Sequence, residues 1–141
     1  MSEEEKLQAL VAEMKMIEAY LNDIFSREAT ISRLIEEGRL AIDAIKNISG
    51  SDQVQTLMPI GIGVYMQAYV TPVDKLLLSV GSGVAIEKSK DDAVNYIESR
   101  TQELEVALRT MVSQKQELAT KMEQTKAQIN AIMQKFQQKS G

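Results

Sequence analysis

Two seven-residue repeats of nearly equal length, split by a short segment that breaks both, restrict this chain more than any other feature. In residues 1–47 one heptad position holds Leu7, Met14, Leu21, Glu28, Ile35 and Ile42, and the other holds Leu10, Ile17, Ile24, Ile31, Gly38 and Ile45. In residues 90–141 the corresponding positions hold Ile97, Leu104, Met111, Leu118, Thr125 and Ile132, then Thr101, Leu108, Lys115, Met122, Ile129 and Phe136. A strict seven-residue apolar repeat keeps one seam turned toward one partner helix and so specifies a left-handed coiled coil. Each helix would run about 65–75 Å at ~1.5 Å per residue. Glu28 breaks the apolar seam, at a cost in stability that can fix register. Gly38 costs about 1 kcal/mol against Ala in a helix interior; it reads either as a tolerated flaw or as a flexible joint. Ser2 with Glu5, and Ser89 with Asp92, have the spacing of capping boxes. Lys46, Asn47, Ser49 and Gly50 supply a stop for the first helix.

The segment between the repeats, residues 48–89, is poor in charge and holds both prolines. Ile62, Val64, Met66, Ala68 and Val70 alternate with Gly63, Tyr65, Gln67 and Tyr69. This two-residue period marks a half-buried strand. Val54, Thr56 and Met58 form a shorter strand before it, with Met58-Pro59-Ile60-Gly61 as the expected turn. A second hairpin pairs Leu76–Val80 with Val84–Glu87 across Gly81-Ser82-Gly83. The two hairpins meet near Thr71-Pro72-Val73-Asp74. Leu76-Leu77-Leu78 is apolar on both faces, which suggests cover on both. Four short strands from one chain cannot provide that cover, and their edges stay open to pairing. The hairpins are therefore expected to associate with copies of themselves or with a related chain, most simply as a barrel. The residues expected to carry assembly are Ile62, Val64, Met66, Val70, Leu76, Leu78, Val80, Val84 and Ile86.

Composition narrows the chemistry. The 141 residues contain no Cys and no His. That removes disulfides, thiolate sites and the commonest general base and metal ligand. No catalytic residue, cofactor or metal is expected. Asp91-Asp92 is the one adjacent acidic pair near the strands, and the positive end of a helix dipole explains it better than catalysis does. The glycines of Gly61-Ile62-Gly63 and Gly81-Ser82-Gly83 read as hairpin glycines, because neither phosphate-binding pattern is completed. No block of like charge is long enough for a nucleic-acid tail. The opening Met-Ser-Glu-Glu-Glu has no signal-peptide pattern, and no run approaches a membrane span. A cytoplasmic protein without nucleic-acid or membrane partners is the expectation.

Hairpins return the chain toward its point of departure, so helices of similar length should run back together as one antiparallel coiled coil. Three segments result: 1–47, 48–89 and 90–141. The free end is where Leu7, Leu10, Val11 and Met14 meet Ile129, Ile132, Met133 and Phe136. These residues read either as the last turns of a seam or as an adaptable apolar patch, with Met tolerating many shapes. Val11 and Met133 lie outside the two seam positions and are the better candidates for exposed contacts.

The fold class is thus α+β: a long coiled coil with two central hairpins that join a multi-subunit sheet. With Leu57-Met-Pro-Ile-Gly-Ile-Gly-Val-Tyr65, Leu78-Ser-Val-Gly-Ser-Gly-Val-Ala-Ile-Glu-Lys-Ser89 and Asp91-Asp-Ala93 in view, the chain resembles the α-class subunit of prefoldin (GimC) over its whole length. Its hairpin segment is closer to the archaeal form. Two hairpins mark the α class, where β-class chains carry one. The resemblance implies two α-class and four β-class subunits joined in a double β-barrel, with six coiled coils projecting from it. It also implies that the tips hold unfolded or nascent proteins and deliver them to a group II chaperonin without ATP hydrolysis. A different reading is a structural coiled-coil adaptor that uses its strands as a dimerisation plug and binds one folded partner.

Overall fold

The computed structural model describes residues 2–48, 50, 52–72 and 74–140. The parts of the helix stop and inter-hairpin link expected at Ser49 and Val73 lie outside those residues. In chain order the elements are α1 (Glu3–Asn47), β1 (Val54–Gly61), β2 (Val64–Val70), β3 (Lys75–Gly81), β4 (Val84–Ser89) and α2 (Lys90–Ser140). Both helices start on the expected caps. Ser2 Oγ accepts from the Glu5 backbone N–H at 3.2 Å, and Ser89 Oγ accepts from that of Asp92 at 3.1 Å. Each bond satisfies a donor that has no partner within the first helical turn.

The chain forms two compact units. One comprises Met1–Arg33 with Glu105–Gly141, and the other comprises Leu34–Leu104. In the first, the helices are antiparallel, as three ion pairs show. Glu3, Glu13 and Glu28 on α1 meet Lys135, Lys121 and Lys115 on α2 at 3.7, 3.4 and 3.1 Å. Partner numbers fall on one helix as they rise on the other. The second unit shows the same sense: the Lys90 ammonium donates to the Ile48 carbonyl at 3.2 Å.

All twenty-four heptad positions are buried or half-buried, with Ile17, Ile24, Ile35 and Thr125 the deepest among them. The seam is therefore the one the seven-residue period specifies. The departures from apolar character have neighbours across the seam or within their own helix, although the buried Glu28 Oε1 has no hydrogen-bond partner. Glu28 is paired with Lys115, and the Lys115 ammonium also lies 5.1 Å from the centre of the Phe25 ring. Gly38 faces Thr101, and a Cβ at Gly38 would stand 2.7 Å from Thr101 Oγ1. The missing side chain thus makes room in an unbroken helix. Thr125 donates its hydroxyl to the Lys121 carbonyl at 2.9 Å, so it carries no unsatisfied proton into the seam.

The strands form two separate antiparallel ribbons, β1 with β2 and β3 with β4. In the first, Val54 pairs with Val70, Thr56 with Ala68 and Met58 with Met66; in the second, Leu76 pairs with Lys88 and Leu78 with Ile86. The first turn is displaced from its expected place. β1 continues through Pro59 to Gly61, and the turn is Ile62-Gly63, both with positive φ (51° and 76°). Ile62 is therefore a turn residue and does not open the alternation of β2. Proline is tolerated in β1 because β1 has an edge free of ladder bonds. The second turn, Ser82-Gly83, has the same geometry (54° and 75°), and both ribbons carry an irregularity just before the turn. Two positive-φ central residues are the signature of the hairpin turn whose twist matches that of the strands.

Candidate binding and assembly surfaces

Exposed apolar side chains also occur along both helices, and the expected binding and assembly residues fall in two regions. The first lies where residues near both chain ends meet. There Leu7, Leu10 and Met14 on α1, and Ile129, Ile132 and Phe136 on α2, are seam residues and only half-covered. Val11 and Met133 sit beside the seam and are 39% and 49% exposed. A groove of about 440 Å³ runs alongside, with Ala9, Leu10, Ala131 and Ile132 among the residues that line it and Glu3, Lys6 and Lys135 at its charged margin. Sequence reasoning missed this groove. Its signal is the pair of alanines, Ala9 and Ala131, small residues flanking the seam where it meets solvent. The depression is open, largely apolar and bordered by charge.

The second region is the pair of ribbons. Val64, Met66, Val80, Val84 and Ile86 are exposed, while Val70, Leu76 and Leu78 are half-buried. Leu77, on the opposite face from Leu76 and Leu78, is 73% exposed. Among the described residues β2 and β3 do not pair, so each ribbon keeps strand edges free of ladder bonds. A two-stranded ribbon is marginal alone, since it can bury neither face. Leu57, Tyr65 and Tyr69 are also exposed, though they are not among the expected assembly residues; for the two tyrosines the signal is an aromatic pair on the outward positions of the β2 alternation.

Among the described residues no group of three or more Asp or Glu side chains could hold a metal ion. Asp91 and Asp92 lie in the first turn of α2, as a favourable interaction with the helix dipole requires. Among the described residues no helix is long and apolar enough to cross a membrane.

The family model for the prefoldin subunit matches residues 4–135. The chain belongs to the prefoldin family. A prefoldin subunit alpha from Nitrosopumilus maritimus is 38% identical over 135 residues, covering 96% of this chain and 93% of that one. Another prefoldin subunit alpha, from Methanoregula boonei, is 31% identical and is covered over 82% of its length. Among solved structures, the fold is similar to the prefoldin beta subunit from Thermococcus strain KS-1 (TM-score 0.62, 19% identity, 89% of this chain and 90% of that chain). It is also similar to filamentous PFD from Methanocaldococcus jannaschii (TM-score 0.56, 24% identity, 88% and 98%). Membership in this non-enzymatic family of chaperone subunits fits a prefoldin chain with exposed apolar side chains on its ribbons and beside the coiled-coil seam near its chain ends.

Proposed function

We propose that this chain is the α-class subunit of a cytoplasmic, ATP-independent co-chaperone with two α and four β subunits. Its ribbons add strands to a shared double barrel, and its coiled-coil tip holds unfolded or nascent proteins for delivery to a group II chaperonin. The observation that carries the assembly half is the state of the ribbons: two separate strand pairs that expose Val64, Met66, Leu77, Val84 and Ile86. Unpaired edges of this kind invite strand addition. Val64, Met66, Val84 and Ile86 would be buried by it.

The tip half rests on the shallow apolar groove with Val11 and Met133 beside it. A groove so open gives weak contacts. Several tips on one body act together, so that avidity replaces a deep pocket. The test is reconstitution with the β-class chain from the same source, followed by mass measurement and a client-aggregation assay. A single species of two α plus four β chains is expected. Removing residues 1–11 together with 129–141 should leave that mass reduced only by the deleted segments and abolish the α-chain contribution to client holding. Undiminished holding after the deletion would refute the tip as the site.

A further inference from the structure

The turns of the two ribbons correspond at an offset of 20 residues: Ile60-Gly61-Ile62-Gly63-Val64 aligns with Val80-Gly81-Ser82-Gly83-Val84. Their turns share backbone angles, and their strands share register. Within the two-residue turn itself they differ at one position, Ile62 against Ser82. Ser82 is small and polar. Ile62 is β-branched, holds φ at 51° and is 105% exposed. A β-branched residue in the left-handed region is a genuine outlier. Nothing in the turn requires it, since the second ribbon makes the same turn with serine. A strained side chain wholly in water, where the fold does not need it, points to a contact made outside the chain.

The same unit offers a place for it. Leu34, Gly38, Tyr96, Ile97, Thr101 and Leu104 line a notch of about 190 Å³ on the coiled coil. Its shoulders, Leu34 and Tyr96, are large apolar side chains left exposed. Gly38, whose missing side chain leaves room for Thr101 Oγ1, lies on α1 within it. Arg100, also at the notch, is paired with Glu103 at 3.1 Å, so it does not bring an unpaired charge to an apolar guest.

We propose that Ile62 is a knob that enters the Leu34–Gly38–Tyr96 notch of a second copy of this chain. It deepens the assembly reading above by naming a contact between the two α copies, and it rests on that reading only in needing two copies side by side. Knob and notch lie on one chain, so two copies related by a twofold axis can engage reciprocally and close. The second ribbon, with Ser82 at its tip, has no apolar group to insert.

The chain has no Cys, so introduced thiols are its only thiols. Full-length Ile62→Cys and Leu34→Cys chains, mixed and assembled with the β-class partner, should form a disulfide between residues 62 and 34 under mild oxidation. Because each variant carries one thiol, that bond must join two copies. Ser82→Cys in place of Ile62→Cys should give no such bond. Equal or absent linkage from the two tips, in an assembly of the expected mass, overturns the proposal. If no assembly forms, the assembly reading fails, and the same mixture of the chain alone at high concentration still decides this contact by the same bond. Ile62→Gly supplies a second readout with opposite signs. Relief of the left-handed strain should raise the unfolding midpoint of the isolated chain, while loss of the buried side chain weakens copy-to-copy association by about 10-fold or more. A variant that lowers both, or changes neither, refutes the knob.

Discussion

Gly38→Ala gives the sharpest test of how the second unit is packed. In an open helix this change stabilises by about 1 kcal/mol, since Gly loses more backbone freedom than Ala. Here the new Cβ would stand 2.7 Å from Thr101 Oγ1 and 3.5 Å from Ile97 Cγ2. The first distance is well inside van der Waals contact, and the offending atom sits on a stiff β-branched side chain. Forcing a methyl into a packed site costs ~1–3 kcal/mol. The clash therefore outweighs the propensity gain, and Gly38→Ala should destabilise by about 1 kcal/mol. Thr101→Ala removes the clashing hydroxyl and leaves a Cβ 4.0 Å away. On that background Gly38→Ala should recover its intrinsic gain of about 1 kcal/mol. The coupling between the two sites is then about 2 kcal/mol, the range that contacting residues show. Urea unfolding of the full chain and its three variants, followed by circular dichroism, measures it. A Gly38→Ala chain more stable than the parent, or a coupling within ~0.5 kcal/mol of zero, would refute the close approach.

Two further substitutions test the other seam features. Lys115→Met leaves Glu28, only 18% exposed at its side chain, without its cation. It should cost about 1–3 kcal/mol in urea unfolding, whereas Glu28→Leu combined with Lys115→Leu should be neutral or stabilising, because apolar packing replaces an ion pair that is costly to bury; an unchanged Lys115→Met chain would remove the pair from the account of the seam. Ser89→Ala deletes the acceptor for the Asp92 N–H and should cost about 1 kcal/mol, read as faster hydrogen exchange at the first amides of α2, with Ser89→Asp restoring protection; exchange that does not change would show that the cap contributes nothing.

The heptads made the helices legible because a seven-residue period needs only local spacing to be read. The seam exceptions were not legible in the same way. That Glu28 meets Lys115, and Gly38 meets Thr101, depends on antiparallel register, which links residues 87 and 63 positions apart. Nothing local in the sequence encodes those separations. The first turn was misplaced for a different reason. Pro59 is a turn signal by composition, yet it sits in an edge strand, and Ile62 disguises the first of two left-handed positions that Asn or Gly usually marks. The 20-residue correspondence with Gly81-Ser82-Gly83 was the clue that would have placed it, since the two hairpins turn at equivalent residues.

The tip shows where such reading stops. Six of its eight candidate residues occupy seam positions, and the structure half-covers all six. A heptad identifies the side chains that face the other helix, but it does not say how much of each remains in water at the end of the coil. That depends on the neighbours, and at this end the neighbours are Ala9 and Ala131, too short to close the flank. The open groove therefore arises from small residues beside the seam more than from the large residues within it. Enlarging Ala131 to Leu would fill the flank while leaving every heptad position unchanged, so under the proposed function it should weaken client holding without altering the mass of the assembly. Client-aggregation assays on that reconstituted variant distinguish the groove from the seam: holding that is unchanged would mean that the exposed edges of Val11 and Met133, and not the groove, make the contact.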